Sequence, residues 1–270
     1  MSASDIAAAS NVRRSVSSRV TLLAVCALLA PLLAAVLLPP FAQPQSFHDF
    51  ADQRSWLGLP YAADVLSNLA FLAVGALGLH FVLYGWSKHD RNAFYDARAA
   101  SPYALLFAGI VLTAFGSAWY HAQPNDATLL WDRLPMALGF AGLVAGTLTD
   151  RAPQRTFQWL FAFASVGAGT VLYWRVSGNL APYLVMQVAF IGIALLATVW
   201  IRSGYTHSNR VYAAAGLYAI AFVCERLDHQ MYEALGGWIS GHTLKHLVAG
   251  AATAIVYSML RNRCVQPVLT

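Results

Sequence analysis

Histidine occurs in this chain at two places where its spacing could do chemistry. In "GHTLKHL", Gly241 to Leu247, His242 and His246 stand four residues apart at the start of an apolar run. On a helix that spacing turns two imidazoles to one face, which is how a single helix supplies two ligands to a tetrahedral metal. In "GSAWYH", Ser117 and His121 are again four apart and share a helical stripe about 6 Å from one another. Asp132, in "WDRLPM", adds a carboxylate eleven residues after His121. A third histidine beside the pair completes a three-imidazole set whose fourth position is left to water, the arrangement of a catalytic zinc. Asp132 would then act as general acid and base, and Ser117 would donate a hydrogen bond to a developing oxyanion or to the water.

Those roles need elements that bring three separate segments together, and the composition says which. Of 270 residues, 58% are hydrophobic and 11% charged, and the mean hydropathy is +0.53, too apolar for an ordinary soluble domain. The charged residues fall between apolar runs long enough to cross about 30 Å of hydrocarbon. Expected spans are 20–38, 64–86, 102–121, 130–149, 156–174, 180–201, 210–225 and 241–260. The fold class is therefore all-α, a polytopic membrane helix bundle. The first run has the basic start of a signal peptide, but its length and its "PPFAQPQ" exit favour an anchor that is retained.

Orientation follows from the basic residues. With the N-terminus inside, the inner segments hold Arg13, Arg14, Arg19, Lys88, Arg91, Arg98, Arg151, Arg155, Arg202, Arg210, Arg261 and Arg263, and the outer loops only Arg54, Arg175 and Arg226. Basic residues are retained on the cytoplasmic side, so both termini are expected there. Asp49, Asp52, Asp126, Asp228 and Glu233 fall in the outer loops, with Glu225 at a span end. The net charge of +5 is scattered through short loops, which argues for topology and against a nucleic-acid partner. Cys26, Cys224 and Cys264 lie in or beside spans and offer neither a disulfide framework nor a zinc knuckle.

This topology sets depth. His121 ends the third span, Asp132 opens the fourth, and His242 and His246 open the eighth, all toward the outer face. Ser67 and Asn68, early in the second span, belong to the same leaflet. Ionisable groups inside a membrane are costly and usually functional. Plainer roles compete for some of these residues. Ser117 could bond the carbonyl four residues back, Asn68 could bridge helices, and Lys245 could snorkel to the headgroups. Arg133 is either an interfacial anchor or a partner of Asp132, and Pro135 is expected in the first turn of its helix. His80, Lys88 and His89 lie toward the inner side, and His48, His207 and His229 are loop residues with no evident partner. Trp56, Tyr61, Trp119, Tyr120, Trp131 and Trp238 fit an aromatic belt.

Together, "SN" early in a span, then "GSAWYH", "WDRLPM" and "HTLKH", resemble the alkaline ceramidases, membrane amidases of a wider superfamily of seven-helix metal-dependent hydrolases. The resemblance covers roughly residues 45 to 260. It implies a seven-helix core at 45–260, preceded at 1–44 by a cytoplasmic tail, an extra transmembrane helix and a linker, and followed by a cytoplasmic tail at 261–270. It further implies zinc on His121, His242 and His246, catalytic roles for Asp132 and Ser117, and supporting roles for Ser67 and Asn68. The implied reaction is hydrolysis of a ceramide-like N-acyl sphingoid base, a membrane lipid, to fatty acid and amine. Eukaryotic members bind calcium through acidic residues near the first core helix. The comparable residues are Asp49, Asp52 and Asp64, in a stretch that lacks an obvious copy of that loop. Lys245 also departs from the family, which tends to have an aromatic there.

The short loops and Arg-biased inner face point to a bacterial inner membrane, with the site toward the periplasmic leaflet. The acyl chain is expected between helices, entering sideways, with water arriving from outside. Two other readings stay open: a receptor or sensor with a structural zinc, and a hydrolase of ester-linked lipids. A proton-relay transporter fits less well, because its ionisable groups would occupy both depths of the membrane.

Overall fold

The computed structural model describes residues 3–85 and 93–266, with the first helix's side chains described from residue 14. Lys88, His89 and Arg91, and the side chain of Arg13, lie outside the described residues. The helices are α1 (Ala3–Leu37), α2 (Ala62–Ser67), α3 (Leu69–His80), α4 (Ala97–Ala122), α5 (Asp126–Thr149), α6 (Thr156–Ser177), α7 (Ala181–Trp200), α8 (Arg210–Arg226), α9 (Asp228–Ala234) and α10 (Gly241–Asn262). Among the described residues the only β pairings are two isolated bridges, so the chain is an all-α bundle.

Among the described residues six segments are long and apolar enough to cross a membrane: Arg14–Leu37, Ala62–Gly85, Ala97–Ala122, Asp126–Thr149, Ala181–Trp200 and Gly241–Asn262. The protein is therefore a polytopic membrane protein. Helices also occupy the two remaining expected positions. They fall short of the same measure: α6 carries Gln158 and Arg175 among its 22 residues, and α8 has only 17.

Helix starts are fixed by side-chain caps, which satisfy N–H groups that have no partner within the helix. Asp96 accepts from Ala99 N at the head of α4, Asn125 from Ala127 N and Thr128 N at α5, and Ser240 from Thr243 N at α10. The Asn125 cap starts α5 four residues earlier than expected, which puts Pro135 well inside the helix rather than in its first turn. Proline has no N–H, so the Trp131 carbonyl one turn earlier is released from its usual helical bond. Gly116 of α4 lies against that carbonyl so closely that a Cβ there would overlap it. Gly109 likewise meets the Pro135 carbonyl. Small residues that let two backbones approach are a common way of packing membrane helices. Here the approach of α4 to α5 brings Ser117 and Asp132 to one level.

Helix α1 packs on α7 and α6, burying Val20, Leu23, Ala24 and Ala27. At the end of the bundle away from the histidines, the fully buried Arg263 closes the structure. Its Nε donates to the Ala93 carbonyl at 2.7 Å and its Nη1 to Asp150 Oδ2 at 2.9 Å. Its guanidinium also lies 4.0 Å from the Tyr205 ring centroid. The ion pair and the ring contact tie the end of α10 to the end of α5 and to the segments before α4 and α8.

Candidate metal centre

Antiparallel packing brings the last turn of α4, the first turns of α5 and α10, and the α2–α3 junction to the same end of the bundle. His121, His242 and His246 meet there, all buried. One ring nitrogen from each lies within 4.8 Å of those of the other two, and His121 Nε2 is 3.2 Å from His242 Nε2. Two nitrogens on one tetrahedral zinc, each about 2.0–2.1 Å from it, stand roughly 3.3–3.4 Å apart. A direct imidazole–imidazole hydrogen bond would give a similar distance, but it would account for two of the three rings.

The third ring is aimed by its neighbours. Ser67 Oγ donates to the Asp64 carbonyl at 2.8 Å, so at 2.7 Å it accepts from His246 Nδ1. With the proton held on Nδ1, the Nε2 lone pair is left for a ligand, the usual arrangement behind a metal-bound histidine. His121 Nδ1 is buried and has no hydrogen-bond partner among the described residues. The three residues therefore fit a divalent metal by donor type, by separation and by the tautomer imposed on His246.

The first turn of α10 is pinned from two sides. The His242 backbone N–H donates to Asp228 Oδ1 at 2.7 Å, and Asp228 Oδ2 accepts from Ala51 N at 2.9 Å. One carboxylate thus joins the start of α10 to the loop before α2. The hydroxyls of Ser240 and Thr243 both donate to Asp64 Oδ1, at 3.1 and 2.6 Å. That loop carries Phe50, whose ring meets His121 and His242 edge-on, with centroids 4.6 and 4.7 Å apart. Phe50 is itself buried, with its ring packed against both imidazoles.

Several bonds strap the loop in place. His48 bridges Tyr120 Oη at 2.9 Å and Asp126 Oδ1 at 3.1 Å, and His229 Nε2 bonds the Asp49 carbonyl at 3.1 Å. Both histidines thus have partners that the sequence did not reveal. Arg54 clasps Asp52 through two bonds, at 2.8 and 2.6 Å, and reaches the Trp238 carbonyl at 2.9 Å. Burial opposes ionisation of Asp52, but the bonds from Arg54 outweigh it and hold the carboxyl below its ordinary value.

Asp132 and Ser117 are both buried. Thr113, not Ser117, bonds the carbonyl four residues back. Ser117, Asp132, His242 and His246 line a cavity of about 750 Å³, within the range usual for small-molecule sites. On α10 the lining runs from His242 to Val256, about 21 Å at 1.5 Å per residue. Below the polar end the walls are largely apolar, with Ile110, Leu143, Ile191 and Val256 among them. Lys245 does not reach out to headgroups. It pairs with Glu225, and both line the cavity.

Arg133 is neither an exposed anchor nor within ion-pair distance of Asp132. It is buried at 5% exposure, with its guanidinium 4.4, 5.2 and 5.4 Å from the ring centroids of Trp174, Tyr183 and Phe47. Asn68 bonds only carbonyls of its own turn, Asp64 and Val65, and bridges no helices through them.

The acidic residues compared with a calcium loop have separate partners: Asp49 with His229, Asp52 with Arg54, Asp64 with Ser240 and Thr243. Among the described residues only the three histidines form a cluster of possible metal ligands. Phe50, Asp228, Glu225 and the Tyr120–His48 contact belong to the site without having been expected there. The short-range pattern holds no sign of them, since each acts across more than one element. No protein-family model matches the chain, and no curated protein resembles it closely enough to count as a match.

Proposed function

We propose that this protein is a metal-dependent hydrolase of a lipid amide, most simply a ceramide-like N-acyl amine cleaved to a free fatty acid and an amine, as the resemblance to alkaline ceramidases implies. The observation that carries this reading is the close grouping of His121, His242 and His246, two of which line the same long, largely apolar cavity as Asp132. Three imidazoles favour zinc, which when bound polarises a carbonyl and acidifies water. Water adds to the amide carbon, the C–N bond breaks, and the nitrogen leaves with a proton. Asp132 supplies the proton traffic: its carboxylate takes the proton from the attacking water and returns it to the leaving nitrogen. Ser117, which lines the same cavity, donates a hydrogen bond to the developing oxyanion or to the water. The acyl chain lies along the apolar lining of α10. In this reading the site end faces the outer leaflet, with both termini cytoplasmic, as the distribution of basic residues implies.

The test is metal content of the detergent-purified protein together with fatty-acid release from amide and ester lipids, for wild type, His242→Ala and Asp132→Asn. The expected result is about one zinc per chain, lost in His242→Ala and kept in Asp132→Asn, with release of acid lost in both. Zinc without turnover on any lipid would refute the hydrolase and favour a receptor. Turnover of esters alone would refute the amide.

A further inference from the structure

The guanidinium of Arg133 has no anionic partner among the described residues. Among the described residues no carboxylate lies within 4.0 Å of it. Its Nη2 donates to Gln43 Oε1, and its Nη1 is buried with no hydrogen-bond partner among the described residues. The rings of Trp174, Tyr183 and Phe47 soften the cost of burying the charge, but ring faces do not satisfy an N–H donor. A buried arginine left this way inside a membrane bundle is expensive, and such residues usually serve a ligand or an ion path.

The surroundings indicate what kind of ligand. Arg133 and Gln43 line the same cavity as Asp132, His242 and His246, and so do Tyr183 and Gln187. The Tyr183 hydroxyl accepts from Gln187 Nε2 at 2.7 Å and keeps its own proton to donate. Arg133 follows Asp132 on α5, so it is displaced by only about 1.5 Å along the helix and about 100° around it. It thus stands at the depth of the proposed chemistry and on another wall. An amphiphile whose chain runs down α10 would carry its head group at this level. If Arg133 were only a staple for the loop, Gln43 and the three rings would suffice, and the unpaired Nη1 would serve nothing.

We infer that Arg133, with Tyr183 beside it, binds an anionic oxygen group, a carboxylate or a phosphate, on the head group of the lipid substrate. The inference rests on the hydrolase reading and narrows it: the substrate class is an N-acyl amine with an acidic head, not a neutral ceramide. Arginine suits this role because its planar fork meets carboxylate and phosphate with two parallel bonds.

The experiment is equilibrium binding, without turnover, to the purified protein. The probes share one acyl chain: an N-acylglycine, an N-acylethanolamine and the phosphate ester of that N-acylethanolamine. Wild type is expected to bind one or both acidic lipids at least tenfold more tightly than the neutral one, and which of them wins assigns carboxylate or phosphate. Arg133→Gln is expected to erase that preference and leave neutral binding within about twofold. Equal affinity of wild type for all three probes overturns the inference, even if Arg133→Gln does not fold. A preference that survives in a folded Arg133→Gln protein overturns it as well. Failure of the hydrolase reading looks different: the binding preference stands while none of the three lipids is cleaved.

Discussion

The most direct way to probe the centre is to leave the three histidines alone and remove what aims one of them. Ser67 Oγ stands 2.7 Å from His246 Nδ1 and 2.8 Å from the Asp64 carbonyl, and the residue is buried at 8% exposure. In Ser67→Ala the Nδ1 proton loses its acceptor in a place water does not easily reach. A neutral hydrogen bond contributes about 1 kcal/mol, and a buried donor left unpaired costs about 1–3 kcal/mol. The ring can recover part of this by turning or by moving its proton to Nε2, but either change removes the lone pair that a metal needs. The net loss in metal affinity should therefore be about 1.4–2.8 kcal/mol, or 10- to 100-fold, the range found for partners behind metal-bound histidines. The assay is zinc competition against a chromophoric chelator in detergent, with helicity followed by circular dichroism. Ser67→Thr, which keeps the hydroxyl, should recover most of the affinity. If Ser67→Ala binds zinc as tightly as wild type at unchanged helicity, then Ser67 does not set the tautomer, and the geometric case for His246 as a ligand fails.

Three further outcomes follow from the packing. Gly116→Ala places a methyl group where the Trp131 carbonyl already sits. It should part α4 from α5 at a cost of about 1–3 kcal/mol, read as a lower thermal unfolding midpoint together with weaker zinc binding. Phe50→Ala removes the ring lying against His121 and His242, so zinc should pass to an added chelator several-fold faster while the equilibrium content stays near one per chain. Asp52 has a carboxyl held below its ordinary value of 3.8. Its contribution to holding the Phe50 loop is therefore complete above that pH and is lost as the pH falls below it. Pepsin cleavage around residues 49–57 should rise modestly over that range in wild type, whereas Asp52→Asn should show no such rise. Because the Arg54 side chain is 54% exposed, solvent screening keeps the effect small.

How much of this could be read from the chain depends on the range over which each residue acts. The meeting of His121, His242 and His246 was legible because helical periodicity fixes the face that His242 and His246 share, and the alternation of spans fixes the end of the bundle where His121 joins them. Ser67 needed only the same depth argument. Periodicity is silent about a loop, so nothing in "SFHDFADQR" told Phe50, which lies on the histidines, from Phe47, which lies beside Arg133. The placement of Pro135 erred through a boundary: Asn125 caps α5 and starts it at Asp126, a turn ahead of the apolar run.

Arg133 is the most instructive case, because both simple expectations for it were wrong for one reason. Next to Asp132 in sequence, it suggested a partner for that carboxylate; near a span end, it suggested an anchor. A helix turns 100° between neighbours, and that turn carries Arg133 away from both roles, toward α6 and α7. There Trp174 and Tyr183 come from two other helices and Phe47 from the loop. Three rings from three segments do not gather around one guanidinium through the pattern of any single segment. That the fold gathers them around a guanidinium whose Nη1 has no hydrogen-bond partner among the described residues, in a side chain that lines the cavity, is what separates a charge held for a ligand from one merely tolerated.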